Sequence, residues 1–309
     1  MLNKIRSKYV AQIIFRHLRE DFVLKLVKYN IAMQKRLNIS IQDYKEYKNI
    51  VLEIIPIIDV AMSNVFINLK KEDINNVRIY FDDKLVNSNY FEENERISKI
   101  KIFLKINGNS LNGLFSFCDC IKEITFIKFK KYNIINMTEM FYNCRNLIKI
   151  TFNDFYTANV VNMSGMFAWC TALKELDLTK FKTEKVTSMN DMFFQCNSLE
   201  KLNVSSFDTK NVKNMYSMFN KCSSLVELDL SNFQTPKVTN MMEMFNECSK
   251  LKVLNIFNFD INDNIKSYNI FNQCKLNTIY NLNQKIIKLT NNISFEDLKK
   301  KSKLKIIKN

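Results

Sequence analysis

Seven of the eight cysteines recur at intervals of 26 residues, and this period limits the possible folds of the 309-residue chain more than any other feature. They are Cys118, Cys144, Cys170, Cys196, Cys222, Cys248 and Cys274. An internal period of this length is typical of a solenoid, in which each unit buries its apolar face against its neighbours. We therefore expect a stack of repeats rather than a single globular core.

Other apolar residues follow the same period. A phenylalanine stands three positions before each of these cysteines and a second one eleven positions after most of them, as Phe193 and Phe207 do for Cys196. Methionines precede the cysteine by seven and four positions in the five central units. We interpret these columns as core. A line of cysteines cannot converge on a zinc ion, and helices on neighbouring units would lie too far apart for disulfides, so we expect free thiols and no cofactor.

The spacing inside one unit predicts a helix followed by a short strand. One helical face would hold Met189, Met192, Phe193 and Cys196, which have the spacing i, i+3, i+4, i+7. Ser188 precedes them as a helix N-cap, and asparagine takes this place in other units. Leu202 and Val204 then alternate as a half-buried strand does. The predicted fold class is α/β, a leucine-rich-repeat solenoid with one helix and one short parallel strand per repeat.

The complete pattern resembles the BspA-like leucine-rich repeats, which are widespread in bacterial surface proteins and in many protists. Val160 to Thr183 has the form Val-x-Asn-Met-x-x-Met-Phe-x-x-Cys-x-x-Leu-x-x-Leu-x-Leu-x-x-Phe-x-Thr. The resemblance covers residues 110–276, which we assign to the solenoid. The last unit departs from the pattern because Leu276 falls one residue early, as is expected of a capping unit.

The outward positions of the predicted strands are the candidate binding surface. Neighbouring strands lie about 4.8 Å apart and neighbouring helices about 8–10 Å, so we expect the stack to curve with its sheet on the concave side. The outward residues are Glu175, Asp177, Lys201, Asn203, Glu227 and Asp229. We predict that they bind a protein partner. The alternative is a solvated face whose opposite charges pair between strands. The near absence of aromatic residues argues against sugar or base stacking on this face.

The segment before the repeats suggests a second interaction site. Residues 1–55 are predicted to form short helices, because apolar residues recur there at helical spacing. The stretch from Ile13 to Leu18, with the apolar positions that follow it, is similar to an F-box, the three-helix module that docks onto a Skp-type ubiquitin-ligase adaptor. This resemblance implies adaptor contacts at Phe15, Leu18, Leu24 and Val27. The alternative is a helical cap for the solenoid.

The remaining segments are predicted to flank and cap the array. Residues 56–109 form a linker and capping region, in which Val77–Phe81 and Ile100–Ile106 alternate as strands do. Lysines opposite the second of these strands would discourage association between sheet edges. Residues 277–309 form a basic C-terminal cap or tail.

Composition excludes several functional classes. The chain has three glycines and one histidine, which leaves little for a glycine-rich phosphate loop, a histidine-dependent catalytic triad or a histidine metal site. We therefore expect no enzymatic activity. The net charge of +15 is concentrated at the ends, because residues 112–276 hold 19 basic and 16 acidic residues, so we expect no specific nucleic-acid groove.

The opening residues contain no recognisable secretory signal, and no apolar run is long enough to cross a membrane. We therefore expect a cytoplasmic protein, with the cell surface as the alternative. Two functional hypotheses follow. The first is a non-catalytic protein-interaction scaffold, which could act as an intracellular F-box-type substrate receptor. The second is a surface-exposed adhesin or surface protein of the BspA-like kind.

Overall fold

The repeat region is a β-solenoid. The computed structural model describes residues 50–57, 64–71, 73–92, 95–129, 133–260 and 264–280, together with the backbone of 305–307. Within these ranges the chain forms β-strands and one short 3-10 helix, Ile74–Asn76, and contains no α-helix. The predicted α/β repeat of helix plus strand is therefore wrong. The curvature that we expected rested on the same helical layer and loses its basis.

The predicted helix is a run of tight turns. In Met189–Cys196, the N–H of Met192 donates to the Met189 carbonyl at 3.3 Å and the N–H of Cys196 to the Phe193 carbonyl at 3.1 Å, so both bonds span three residues. Asp191 and Gln195 have left-handed backbone with φ of 56° and 61°. An α-helix needs bonds spanning four residues and negative φ throughout. Left-handed residues at every fourth position therefore prevent a helix.

The N–H groups between these turns bond to the next repeat. We call each 26-residue repeat a coil, and the stacked turn segments from the first methionine to the cysteine the turn ladder. The N–H of Asp191 donates to the Tyr216 carbonyl at 2.8 Å, and the N–H of Phe193 donates to the Met218 carbonyl at 2.9 Å. The backbone groups that a helix would pair internally are thus paired between coils, as in a parallel sheet.

Each coil carries one strand after its cysteine, and four further strands precede the first coil. The strands are β1 Ile50–Pro56, β2 Val77–Phe81, β3 Lys84–Val86, β4 Ile100–Leu104, β5 Ile121–Phe129, β6 Lys149–Phe155, β7 Glu175–Asp177, β8 Lys201–Asn203, β9 Glu227–Asp229, β10 Val253–Asn255, β11 Thr278–Tyr280 and β12 Lys305–Ile307. Parallel pairs join β5 to β6, β7 to β8, and β9 through β12 in sequence order. Of the predicted repeat, only the parallel strand after the cysteine is present.

Strand register follows the sequence period. Glu175 lies opposite Lys201, an offset of 26 residues, whereas Val253 lies opposite Thr278, an offset of 25. The shorter offset absorbs the early position of Leu276 in the last unit, so its strand stays in register with the coil before it.

A mixed six-stranded sheet, whose strands β1 to β4 are antiparallel to their neighbours, covers the first coil. Its strand order is β3-β2-β4-β1-β5-β6, and β1 lies antiparallel between β4 and β5. The predicted strand near Ile100 is present as β4, but β1 separates it from the solenoid. Residues 50–55, the end of the predicted helical segment, lie in β1, because Ile50, Leu52 and Ile54 alternate into the core.

The first turn segment is closed by a loop residue rather than by another coil. The N–H of Asn68 donates to the Leu114 carbonyl at 2.7 Å. Its side-chain Nδ2 donates to the carbonyls of Gly113 at 3.0 Å and Ser116 at 2.7 Å. Asn68 thus satisfies carbonyls that a preceding coil would otherwise satisfy.

The core consists of columns that run along the stack. Rings of the phenylalanine column Phe115 to Phe271 stack nearly parallel, with centroids 5.4–5.8 Å apart. A second phenylalanine stack runs from Phe129 to Phe259. The methionine columns are fully buried beside them. Each coil buries its apolar residues chiefly against the adjacent coils, as the repeat predicts.

Two buried polar columns also join the coils. The Cys222 thiol donates to the Phe193 carbonyl of the preceding coil at 3.1 Å, and five further cysteines from Cys144 to Cys274 repeat this bond. The Thr209 hydroxyl donates to the Gln234 carbonyl at 2.7 Å and accepts from the Gln234 N–H at 2.8 Å. Thr157, Thr183 and Thr235 do the same, so each coil is fixed to the next by polar as well as apolar contacts.

Candidate functional site

The predicted binding residues lie on the outward side of the coil strands. We call Glu175, Lys201 and Glu227 the strand row; all three are exposed, while Leu176 and Leu228 beside them point into the core. This alternation follows from the two-residue period of a strand. The short strands hold the side chains at fixed positions in successive coils.

Only part of the strand row lies in one sheet. β7 pairs with β8, so Glu175 lies beside Lys201, whereas Glu227 in β9 belongs to the next sheet and lies opposite Val253. The Lys201 ammonium donates to the Glu175 carboxylate, with side-chain exposures of 74% and 64%. This hydrogen bond raises the pKa of Lys201. An ion pair so open to water contributes little to stability, so its charges are available to a partner.

The second set of predicted binding residues has a local backbone role. The Asp177 carboxylate accepts the N–H of Thr179 at 2.9 Å, and the Asp229 carboxylate accepts the N–H of Ser231 at 2.9 Å. The Asn203 amide oxygen accepts the N–H of Ser205 at 3.2 Å. Such contacts close the turn that follows each strand. These three residues are exposed, but their identity is explained in part by the turn.

Burial keeps most thiols of the cysteine column protonated. Burial raises the pKa of the Cys196 thiol to about 12, and it raises the pKa of Cys170 and Cys222 as well. A protonated, buried thiol is a poor nucleophile and a poor metal ligand. In the described ranges no group of three or more histidine, cysteine, aspartate or glutamate side chains could hold a metal ion. The column therefore acts as core.

Sequence inspection missed four aromatic residues on the turn ladder. Phe117, Tyr142, Trp169 and Phe194 lie one or two positions before a cysteine, and all four are at least partly exposed. The predicted helix gave these positions no special role. A signal was present, because the other coils place polar residues at most of the same positions.

The predicted adaptor contacts Phe15, Leu18, Leu24 and Val27 lie outside the described residues. Adaptor binding there therefore stays a prediction. Among the residues that the structure does describe, no helix is long and apolar enough to cross a membrane.

Comparison with protein families matches two stretches of the array, residues 109–202 and 170–288, to one family model. That family is described as "Mycoplasma protein of unknown function, DUF285". The chain belongs to the DUF285 family. The two DUF285 matches overlap and together cover more than half of the chain, including every complete coil.

The chain was also compared with solved structures and with curated proteins. The chain is similar to a leucine-rich repeat protein from Bacteroides ovatus ATCC 8483, with 17% sequence identity and a TM-score of 0.33. The alignment covers 62% of this chain and 49% of that one, so it spans about half of that protein's length. No curated protein matches the chain.

Proposed function

We propose that this DUF285 protein is a non-catalytic scaffold that binds a protein partner through the strand row. One observation carries the proposal. The apolar columns, four threonines and six of the cysteines make contacts between adjacent coils, whereas Glu175, Lys201 and Glu227 are exposed on ordered strands. Their charges are not required to hold the coils together.

Rigid presentation favours binding. When a partner docks on short paired strands, the backbone loses little conformational entropy, because the strands are already ordered. The row has an acidic, a basic and an acidic residue in successive coils. A partner surface with the opposite order of charges would meet it without like-charge contacts, which favours specificity.

Charge reversal tests the proposal. In the triple variant Glu175→Lys, Lys201→Glu, Glu227→Lys, the internal pair keeps its opposite charges while the pattern presented to a partner is inverted. A partner captured by the full-length chain is expected to lose at least tenfold in affinity for this variant. The matched control Glu184→Lys reverses an exposed charge elsewhere in these coils, changes the net charge by the same amount as the triple variant, and is expected to bind normally. Equal affinity for the triple variant and the native chain would refute the strand row as the binding surface.

A Skp-type adaptor is the specific partner that the F-box resemblance proposes for the N-terminal segment. The full-length chain would then copurify with such an adaptor under native conditions, and the strand-row variant would retain it. Absence of the adaptor from repeated native purifications would remove the ligase role and leave the strand-row proposal intact.

A further inference from the structure

The two positions that precede each cysteine in the turn ladder hold different residue types along the stack. One position before the cysteine, successive coils carry Phe117, Asn143, Trp169, Gln195, Lys221, Glu247 and Gln273. Two positions before it they carry Ser116, Tyr142, Ala168, Phe194, Asn220, Asn246 and Asn272. Since polar residues fill the same places in most coils, the coil itself does not require aromatic side chains there.

The four aromatic residues form two pairs that bridge adjacent coils. The rings of Phe117 and Tyr142 lie 5.4 Å apart, and those of Trp169 and Phe194 lie 5.8 Å apart, each pair edge to face. The backbone brings them together, because the N–H of Phe117 donates to the Tyr142 carbonyl and the N–H of Trp169 to that of Phe194. Phe117 is exposed and the other three aromatic side chains are partly exposed, so each pair retains ring surface for a ligand.

Folding alone does not favour these residues. Phe117 and Trp169 have left-handed backbone, with φ of 60° and 64°, which costs a non-glycine residue about 1–2 kcal/mol. Phe117 is 58% exposed, so it gains little from burial. Asn143, in the same column, suits the left-handed region much better. The exposed Phe117 and the partly exposed Trp169 thus hold left-handed positions that polar residues fill in the other coils, which points to a ligand surface.

The two pairs are separated by a break of one polar and one small residue, both of them buried. Asn143 and Ala168 occupy the intervening positions, so the pairs are two coils, or about 10 Å, apart. Arg145 is exposed beside the break, and its Nε donates to the Asn143 side-chain oxygen at 2.9 Å. Its guanidinium group carries further N–H donors, which suit hydroxyl oxygens.

From this arrangement we infer that the two aromatic pairs bind a linear β-1,4-linked glycan along the turn ladder. Alternate sugars of such a chain present the same face, so two platforms spaced by two coils would stack against every second sugar. Hydroxyl groups of the intervening sugar would meet Arg145. A protein partner would be served better by one continuous apolar patch, whereas here a polar residue and a small residue separate the rings.

The protein contains its own probe for this binding. Trp169 is its only tryptophan, so intrinsic tryptophan emission reports on one of the two platforms. We expect cellohexaose or chitohexaose to shift this emission in a saturable titration of the full chain. Maltohexaose, whose α-linkages coil the chain, is expected to leave it unchanged.

Variants separate stacking from a nonspecific effect. The double variant Phe117→Gln, Tyr142→Asn introduces residue types that occur in the same columns, so it is expected to fold normally and to bind about tenfold more weakly. Lys221→Gln, in the same column outside the aromatic pairs, is expected to bind like the native chain. No emission change with either β-linked hexaose, an equal response to maltohexaose, or undiminished binding by the double variant would overturn the inference. None of these outcomes affects the strand-row test, which uses other residues.

Discussion

Raising the pH from about 8 to about 9.5 is expected to destabilise this solenoid strongly, because its buried cysteines must stay protonated in the folded state. Each thiol from Cys144 to Cys248 donates its proton to a phenylalanine carbonyl of the preceding coil. A thiolate could not make this bond and would be a buried, unpaired charge. Unfolding exposes the same groups to water, where they ionise freely.

The magnitude follows from the difference in pKa between the two states. Burial raises the pKa of Cys196 from 9.0 to about 12, so the folded state retains this proton when the unfolded state has lost it. Its stabilising contribution is complete below pH 9 and decreases as the pH rises towards the folded-state pKa. The loss between about pH 8 and about pH 9.5 is about 0.8 kcal/mol per thiol.

Several thiols act together. Burial raises the pKa of seven cysteines, so the total loss is on the order of 5 kcal/mol, comparable with the whole stability of many domains. Urea denaturation at the two pH values, with a reductant present, measures it. The variant Cys196→Ala is expected to lose about 0.8 kcal/mol less over this interval. Unfolding free energies that do not change with pH, or thiolate absorbance that appears near pH 9 while the protein stays folded, would refute the reasoning.

Three substitutions test other contacts, each by the midpoint of urea denaturation. Thr209→Val removes the hydroxyl that bonds both backbone groups of Gln234 and is expected to cost about 3 kcal/mol, whereas Thr209→Ser keeps it and is expected to cost about 1 kcal/mol; equal losses would contradict a role for the hydroxyl. Gly165→Ala places a Cβ at φ +61° and 3.2 Å from the Glu139 side chain and is expected to cost about 1 kcal/mol, while Gly108→Ala meets nothing within 4 Å and is expected to be neutral. Asn68→Ala removes two hydrogen bonds to the first coil and is expected to cost about 1 kcal/mol and to accelerate amide hydrogen exchange there; unchanged exchange would show that this cap is dispensable.

The 26-residue period, the buried columns and the strand of each coil could be predicted from the sequence. Burial and strand alternation determine directly which positions hold apolar residues and which hold polar ones. The helix could not be distinguished from the turn ladder on the same basis. Consecutive four-residue turns also bring residues with the spacing of Met189, Met192 and Cys196 to one side. The residue types that cap helices also close turns, as the Asn214 side chain does by accepting the N–H of Tyr216 at 3.0 Å.

One sequence signal for the turns was present. Gly113 and Gly165 stand five positions before their cysteines, where every coil has positive φ, and Asn143 stands in the other column of left-handed residues. Glycine and asparagine are the residues that tolerate this conformation best. Asn269 is a further asparagine in the first column, but aspartate, serine, glutamate, glutamine, lysine or an aromatic residue takes the other places, and this mixture does not identify a left-handed turn. The tertiary hydrogen bonds between coils therefore override the local preference.

The candidate surfaces were predictable to different degrees. The exposure of Glu175, Lys201 and Glu227 follows from strand alternation and could be anticipated. The pairing of the Phe117 and Tyr142 rings depends on which residue of one turn lies beside which residue of the next, and only the register of the ladder determines this.

The ladder of bonds between adjacent coils also determines how the molecule would respond to a pulling force. Each coil is joined side by side to its neighbours, so a force applied at one end would load one row of hydrogen bonds at a time and detach coils in succession. Every detached coil would release 26 residues, or about 90 Å of contour length. A stretched array would therefore lengthen in equal steps and act as a graded extensible tether.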